Sequence, residues 1–343
     1  MMNRMSVYLF LLASLLVSAS AHGHIKWFVE VDVAEPPRRL GEVLTPMFWG
    51  FLVLVSAALF LVFLIDTMWS RRGVFDVVDR LFAHYPDIAT TLIRIGTGVF
   101  FVALWLIGDV ILTPELVSEA KFIGYIHFFT AFFTLFRKTL WLSAAGVAVL
   151  YGYGVMEYGI YHMLDYVVFV GVAAFLAITA IGNRTLMRHR LPILIVCTLY
   201  SFLWSAIEKF GYPQWFDPFL DQNEFLTMGL PRHVFLMSAA FVEFTLVYVM
   251  LTGRNIIVLA SLALNLLIVA GTLYFGKVDA LGHFLIIVIL LLVTIKGPQT
   301  YAIIPDKEGR SSAVQGVYKV LGYWVSLIAF FALYYGIHWI VYD

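Results

Sequence analysis

Residues 256–275 read IIVLASLALNLLIVAGTLYF, a run of twenty residues without one charged side chain. An α-helix needs about 20 apolar residues to cross the hydrocarbon core of a bilayer, so this run predicts a membrane-spanning helix. Nine further apolar runs lie on either side of it, at residues 47–65, 91–112, 118–136, 139–156, 163–182, 191–208, 232–251, 279–296 and 317–341. The sequence therefore predicts an all-α, polytopic transmembrane bundle of about ten spans. The two short runs at 118–136 and 139–156 also allow one re-entrant hairpin.

The composition agrees with a membrane protein. Hydrophobic residues make up 62% of the 343 residues and charged residues only 13%, whereas about 25% charged residues is usual in soluble domains. The net charge is +0, so nothing indicates a nucleic-acid partner. The single cysteine, Cys197, lies inside an apolar run and can form no intrachain disulfide, so we interpret it as a core residue.

Residues 1–21 resemble a secretory signal peptide. Arg4 supplies the positive charge, an apolar core follows, and Ala19-Ser20-Ala21 is a small-x-small cleavage site. We expect cleavage there, which makes His22 the mature N-terminus; an uncleaved signal anchor is the alternative. In both cases residue 22 lies on the outer side of the membrane.

Residues 22–46 are then a periplasmic N-terminal segment. Ile25, Trp27 and Val29 begin an alternation of apolar and charged residues, which predicts an extended, half-buried segment. Trp27 and Phe28 would anchor this segment at the membrane interface. A disordered leader is the competing interpretation. The domain 47–90 contains the first span and an amphipathic stretch, residues 73–82, expected on the inner surface.

Basic residues give the orientation. With residue 22 outside, fourteen of the 21 lysines and arginines that follow the signal lie on the inner side. The positive-inside rule favours this arrangement over its reverse. We therefore predict a bacterial inner-membrane protein whose acidic and histidine residues gather at the periplasmic face.

A weak internal repeat relates two groups of four spans. Leu104-Trp105 followed by Asp109 matches Leu203-Trp204 followed by Glu208, each near the outer end of a span. Two spans joined by a basic turn follow in each case, and then a span opening with a His/Asp pair. Residues 91–182 and 191–298 would thus be two parallel four-helix units. The first span and the last, at 317–341, are additions.

Three stretches resemble the DoxX-like integral membrane proteins, a family of four-helix units. They are FLWSAIEKFGYPQWFDPFL (202–220), VEFTLVYVMLTGR (242–254) and DALGHFLIIVILLLV (279–293). The resemblance implies a duplicated four-helix fold and, because the family is named after a subunit of a thiosulfate:quinone oxidoreductase, a quinone-linked redox setting. Fold resemblance alone does not give function.

The predicted mature N-terminus, His22-Gly23-His24, is a candidate copper site. A free amine, two deprotonated amides and the His24 imidazole can close a square plane, the geometry that Cu(II) and Ni(II) favour. His22 could instead chelate through its amine and ring, with a second histidine from another segment. Both routes need signal cleavage before His22. An accidental histidine pair in a mobile tail is the alternative.

Further candidates lie inside the spans. Glu243 is near the middle of the seventh span, where an acid costs roughly 2.5–3.5 kcal/mol, so it should face the interior with His283, Glu208 or Lys209 as partner. A neutral glutamic acid bonded to a neighbouring helix is the structural alternative. His233, on the outer side of the same span, would complete a metal pocket with His283.

Two histidine–carboxylate pairs have helical spacing. Asp279 and His283 are four residues apart, and His162 and Asp165 are three apart, so each pair lies on one helix face. Each pair can orient a metal-bound histidine or relay protons, or merely satisfy itself near the interface. His127 is more typical of a satisfied core histidine than of a ligand.

Glu208 and Lys209 could form a local ion pair at the rim. The loop 211–231 carries Tyr212, Trp215, Phe216 and Phe219, which favour an interfacial belt or, less simply, a lid over a quinone headgroup. The leading functional hypothesis is metal handling, copper favoured, by His22, His24, His233, Glu243 and His283. A periplasmic metal carrier or redox subunit would be its partner. The alternatives are a subunit of a quinone-linked oxidoreductase and a non-catalytic component that recruits partners; whether the protein is an enzyme stays open.

Overall fold

The computed structural model describes residues 25–72, 87–296 and 311–342, and within these ranges the chain is helical and contains no β-strand. The prediction of an all-α fold is confirmed for this part of the chain. Its long helices are α1 Pro46–Arg72, α2 Ile88–Ile107, α3 Phe122–Phe133, α4 Leu140–Met163, α5 Val167–Ile181, α6 Arg190–Gly211, α7 Arg232–Thr252, α8 Ile256–Phe275, α9 Lys277–Lys296 and α10 Ser312–Tyr342. Short helical segments are Ile25–Trp27, Leu40–Val43, Arg137–Thr139, Leu164–Tyr166, Arg184–Met187, Pro213–Phe216, Asp217–Gln222 and Glu224–Thr227.

By length and composition, eight helical segments of the described chain can cross a membrane. One of them, Arg137–Ile181, has 45 residues and contains both α4 and α5. These two helices pack side by side because the backbone leaves the helical conformation at Gly159 (φ 81°, ψ 157°) and the chain reverses there. Met163 consequently lies beside the part of α4 before Gly159, where its carbonyl oxygen accepts a hydrogen bond from the Tyr151 hydroxyl. The bundle is therefore that of a membrane protein, and its apolar helices fit a lipid bilayer.

Helix α3 is shorter than the sequence predicts. It has 12 residues and is thus about 18 Å long, against a hydrocarbon core of about 30 Å. Its length is limited because residues 108–121 fold into the bundle as a loop instead of extending the helix. The chain still passes from one end of the bundle to the other, since Gly124 lies beside Trp105 and Arg94 donates hydrogen bonds to the carbonyl oxygens of Thr134 and Leu135.

Successive long helices run antiparallel, so the bundle has two ends. We call one the Lys26 end; there the chain passes through Pro46, Ile107, Met163, Gly211, Arg232, Phe275 and Tyr342. The other is the arginine end, with Arg72, Ile88, Ile181, Arg190, Thr252, Lys296 and Ser312.

Helices α2 to α5 form one closed ring of neighbours, and α6 to α9 form a second. The rings meet through the pairs α5–α6 and α2–α9, so the first helix of each ring contacts the last helix of the other. Gly171 permits the close approach of α5 to α6, because a Cβ there would lie 2.6 Å from the Cβ of Cys197. These rings are called the first and second unit below.

Helices α1 and α10 pack against each other outside the rings. Asp66 of α1 ties them to the second unit: its buried carboxylate accepts hydrogen bonds from the backbone N–H groups of Arg254, Asn255 and Ile256 at 2.8–2.9 Å. These are orphan donors at the start of α8. Asp66 of α1 therefore caps the N-terminus of α8, a helix to which it does not belong.

The segment before α1 crosses the Lys26 end instead of lying extended. Ile25–Trp27 is a 3₁₀ turn in which Lys26 is buried, whereas the alternation of apolar and charged residues predicts an extended segment. Phe28 packs on Phe219 and Phe275 at ring-centroid distances of 5.4 Å. The Glu35 carbonyl accepts hydrogen bonds at this same end, from the Tyr212 hydroxyl among others. The interfacial anchor expected from Trp27 and Phe28 is thus an anchor on the bundle.

Candidate functional site

Lys26 carries its ammonium group into the mouth of the second unit. It forms buried ion pairs with Asp165, in the turn before α5, and with Glu208 of α6. The distance from Lys26 Nζ to Glu208 Oε1 is 2.6 Å, and all three side chains are at most 2% exposed. Lys26 therefore joins the turn before α5, the last helix of the first unit, to α6, the first helix of the second unit.

Trp27 packs deeper than an interface residue would. Its ring lies against Gly282 of α9, where a Cβ would come within 2.2 Å of the indole. The ring edge also faces His283, with centroids 4.6 Å apart, and the indole N–H donates to the Tyr166 hydroxyl at 3.4 Å. Only glycine at position 282 leaves room for this indole.

A second ion pair lies within the second unit. Lys209 Nζ is 2.7 Å from Glu243 Oε2, and it also donates to the hydroxyl of Ser205 at 3.2 Å. Glu243 thus has one of the partners expected from its position in the middle of a span. Glu208 and Lys209 are adjacent on α6 and point in different directions, and each has an ion-pair partner from another segment: Glu208 pairs with Lys26 and Lys209 with Glu243.

The two ion pairs border a small cavity that lies mostly inside the second unit and is closed on one side by Thr113 and Phe169 of the first unit. Its volume is ≈ 70 Å³, which holds a few water molecules or a hydrated ion. Polar lining comes from the turn before α5 and from α6, α7 and α9, and includes Asp165, Ser201, Ser205, Lys209, Glu243 and His283. The remaining lining is mostly apolar.

His283 and Asp279 are in contact, as their spacing predicts. His283 Nδ1 is 3.2 Å from Asp279 Oδ1, and the Asp279 carboxylate is fully buried. The other predicted pair, His162 with Asp165, is not formed. His162 Nε2 is instead 3.2 Å from Glu115 Oε1, because the helix ends at Met163 and the following 3₁₀ turn directs Asp165 toward Lys26.

Carboxylates outnumber lysines in this part of the bundle. We use the name Lys26 cluster for seven buried residues: Lys26, Asp165, Glu208, Lys209, Glu243, Asp279 and His283. Four carboxylic acids stand against two ammonium groups. Buried charges are costly unless they are compensated, so the excess negative charge calls for protons or a bound cation.

The electrostatics of Lys26 reflect the same excess. Burial by itself lowers the pKa of a lysine, but the carboxylates of Asp165 and Glu208 outweigh it and raise the pKa of Lys26 well above its ordinary value of 10.5. Lys26 is therefore protonated at neutral pH.

Other predicted site residues lie apart from the Lys26 cluster. His22 and His24 are outside the described residues. His233 is exposed and ten residues before Glu243 on α7, which is about 15 Å along the helix. Asp109 is exposed, with a φ of 51°. His127 is a buried core residue whose Nε2 is 2.9 Å from the Ile111 carbonyl oxygen.

Within the described ranges, no three or more His, Cys, Asp and Glu side chains are arranged to hold a metal ion. The described part of the chain therefore supplies no complete metal site. A copper site would depend on His22 and His24.

The sequence interpretation missed Lys26, Trp27 and Glu115. The signal for Lys26 was present: a lone lysine stands between Ile25 and Trp27 in an otherwise apolar stretch, at the same predicted end as several unpaired acids. Glu115 gave no such signal, because it lies in a loop.

Comparison with protein-family models, curated proteins and solved structures finds no match to this chain. The DoxX-like resemblance therefore stays a prediction.

Proposed function

We propose that this is a ten-span protein of the bacterial inner membrane, built from two DoxX-like units, with the Lys26 end in the periplasm. Two observations support this proposal. The helices that carry the predicted spans alternate in direction along the described chain. The arginine end carries basic residues expected of a cytoplasmic face, among them Arg137, Lys138, Arg184, Arg188, Arg190 and Arg254.

The function we propose is the binding and handling of a metal cation at the Lys26 end, with copper as the favoured metal. The observation that carries this proposal is the excess of carboxylates over lysines in the Lys26 cluster, beside a cavity of ≈ 70 Å³. Glu243 and His283 line this cavity and supply a carboxylate and an imidazole, and the Asp279 carboxylate contacts His283 from outside it. Imidazole suits copper, and the carboxylates supply compensating charge.

The N-terminal segment supports copper in particular. His24 directly precedes Ile25, which is buried at the Lys26 end, and Trp27 touches the His283 ring. The predicted amine of His22 and the imidazole of His24 would supply further nitrogen ligands in addition to the His283 imidazole.

Metal analysis of the purified mature protein tests this proposal. We expect about one copper ion per chain, lost in the double variant His22→Ala/His24→Ala and weakened in His283→Ala. His189→Ala is the matched control, because His189 is exposed at the arginine end. Absence of copper, or equal copper in all variants, would refute the proposal. A mature N-terminus other than His22 in mass spectrometry would remove the amine-based site.

The two alternatives have less support. The cavity is smaller than the ≈ 300–1,000 Å³ of typical ligand pockets, which favours an ion over a quinone headgroup beside Trp27. The aromatic loop suggested as a quinone lid packs on the N-terminal segment, as the contact of the tilted Phe28 and Phe219 rings illustrates. Nothing in the described surface favours a particular recruited partner.

A further inference from the structure

A groove at the outside of the first unit is unrelated to the Lys26 cluster. It lies between α2 and α3 and has a volume of ≈ 620 Å³, within the range of small-molecule sites. Its walls are mostly apolar side chains that the protein leaves exposed, among them Ile95, Val99, Val102, Trp105, Phe128, Phe132 and Leu135. In a bilayer, this groove faces lipid.

The groove has one cationic side chain, Arg94. Arg94 is the seventh residue of α2 and lines the part of the groove that is nearest to the arginine end. Its Nε donates to the Thr134 carbonyl oxygen at 3.0 Å, and its Nη2 donates to the Leu135 carbonyl oxygen at 2.7 Å. A guanidinium has five N–H donors, so three remain for another acceptor.

The charge of Arg94 is uncompensated within the described chain. Asp87, a described acid at this end, pairs with Arg190 at 2.9 Å and Arg137 at 3.4 Å. No described carboxylate lies within ion-pair distance of Arg94. A charged residue in a span is costly, and the cost falls when it meets a counterion.

We propose that this groove binds one anionic phospholipid, with its phosphate on Arg94 and an acyl chain along the apolar walls. Guanidinium and phosphate match in geometry and charge, so paired N–H groups can bind two phosphate oxygens. A zwitterionic lipid carries a compensating ammonium group and gains less from Arg94. The site is therefore selective for headgroup charge.

The test compares two lipids with identical acyl chains, phosphatidylglycerol and phosphatidylcholine, added to the detergent-purified protein. Native mass spectrometry and thermal stability report binding. Phosphatidylglycerol should bind and stabilise more strongly, and Arg94→Gln should weaken its binding about tenfold, as expected for loss of a charge-assisted hydrogen bond. Arg184→Gln is the matched control, because Arg184 is exposed at the same end but away from the groove.

A second variant protects the test against a folding defect in Arg94→Gln. Val99→Trp fills the groove and leaves Arg94 in place; residue 99 is half exposed to lipid, so the fold should tolerate the change. We expect this variant to lose the preference for phosphatidylglycerol as well. Equal binding of the two lipids by the unaltered protein would overturn the proposal, as would equal loss in Arg94→Gln and Arg184→Gln.

Discussion

The two four-helix units have the same order of helix contacts but differently filled interiors. In the first unit, the loop between α2 and α3 turns inward and buries Ile111, Leu112 and Leu116 completely. In the second unit, the corresponding loop between α6 and α7 stays at the Lys26 end, and the interior holds charged groups and a cavity. The interior of the first unit is therefore filled by side chains of its own loop.

The second unit is completed by a segment from outside it. Lys26 and Trp27 precede both units in sequence, yet they contact Glu208 of α6 and His283 of α9. This difference shows that the shared helix connectivity determines the helix arrangement of each unit but not which side chains fill its interior. The polarity of each interior depends on whether a loop of the same unit or the segment with Lys26 and Trp27 packs into it.

Removal of Lys26 should have the largest effect. Lys26→Met leaves the buried carboxylates of Asp165 and Glu208 without their shared cation, and breaking a buried ion pair on one side costs about 3–5 kcal/mol. Denaturant unfolding of the protein in detergent micelles, followed by tryptophan fluorescence, measures this loss.

Lys277→Met is the control for that experiment, because Lys277 is exposed at the same end of the bundle. It should change stability little. Combining Lys26→Met with Asp165→Asn and Glu208→Gln should restore part of the lost stability, since the orphan charges are then gone. Equal stability of Lys26→Met and Lys277→Met would contradict the role given to Lys26.

A truncation in the first unit should cost less. Ile111→Ala removes a fully buried side chain and leaves a cavity, which costs about 2–4 kcal/mol. Val117→Ala, in the same loop but 55% exposed, is the matched control and should cost little. Thermal unfolding of both variants measures the difference, and equal effects would show that the loop does not fill the unit.

His127→Leu should have a smaller effect than Ile111→Ala. The imidazole N–H donates to the Ile111 carbonyl, and loss of a neutral hydrogen bond to a buried acceptor costs about 1–2 kcal/mol. The measurement is the same unfolding transition. A loss of metal content in this variant would contradict its purely structural role.

The stabilisation that Lys26 provides should not change between pH 7 and pH 9. Its folded-state pKa is raised above the ordinary value of 10.5, so the contribution is fully present below pH 10.5 and is lost as pH rises toward the folded-state pKa. The stability difference between the unaltered protein and Lys26→Met, measured at pH 7 and pH 9, should therefore be constant. A marked fall by pH 9 would mean that Lys26 is deprotonated.

Much of the fold could be predicted from the sequence, because the length of an apolar run sets the length of a membrane helix. The run 256–275 matches α8 residue for residue. The run 118–136 does not match α3, since hydropathy does not distinguish a helix from an apolar loop that folds into the bundle. The predicted amphipathic stretch at residues 73–82 lies outside the described residues.

The candidate site was less predictable, because partners depend on long-range packing. Helical spacing correctly predicted the contact of Asp279 with His283, and the depth of Glu243 predicted a charged partner. Spacing failed for His162 and Asp165, because a 3₁₀ turn begins between them. The packing of Trp27, next to Lys26, depends on Gly282, more than 250 residues away in the sequence.

The affinity for Cu(II), measured side by side in Glu243→Gln and Asp109→Asn, tests whether the second unit holds the cation. Glu243 is buried beside the cavity of the second unit, and Asp109 is an exposed acid at the end of the first. If the second unit holds the cation, Glu243→Gln should raise the Kd for Cu(II) about tenfold or more while Asp109→Asn leaves it unchanged. An equal Kd in both variants would contradict the proposed site.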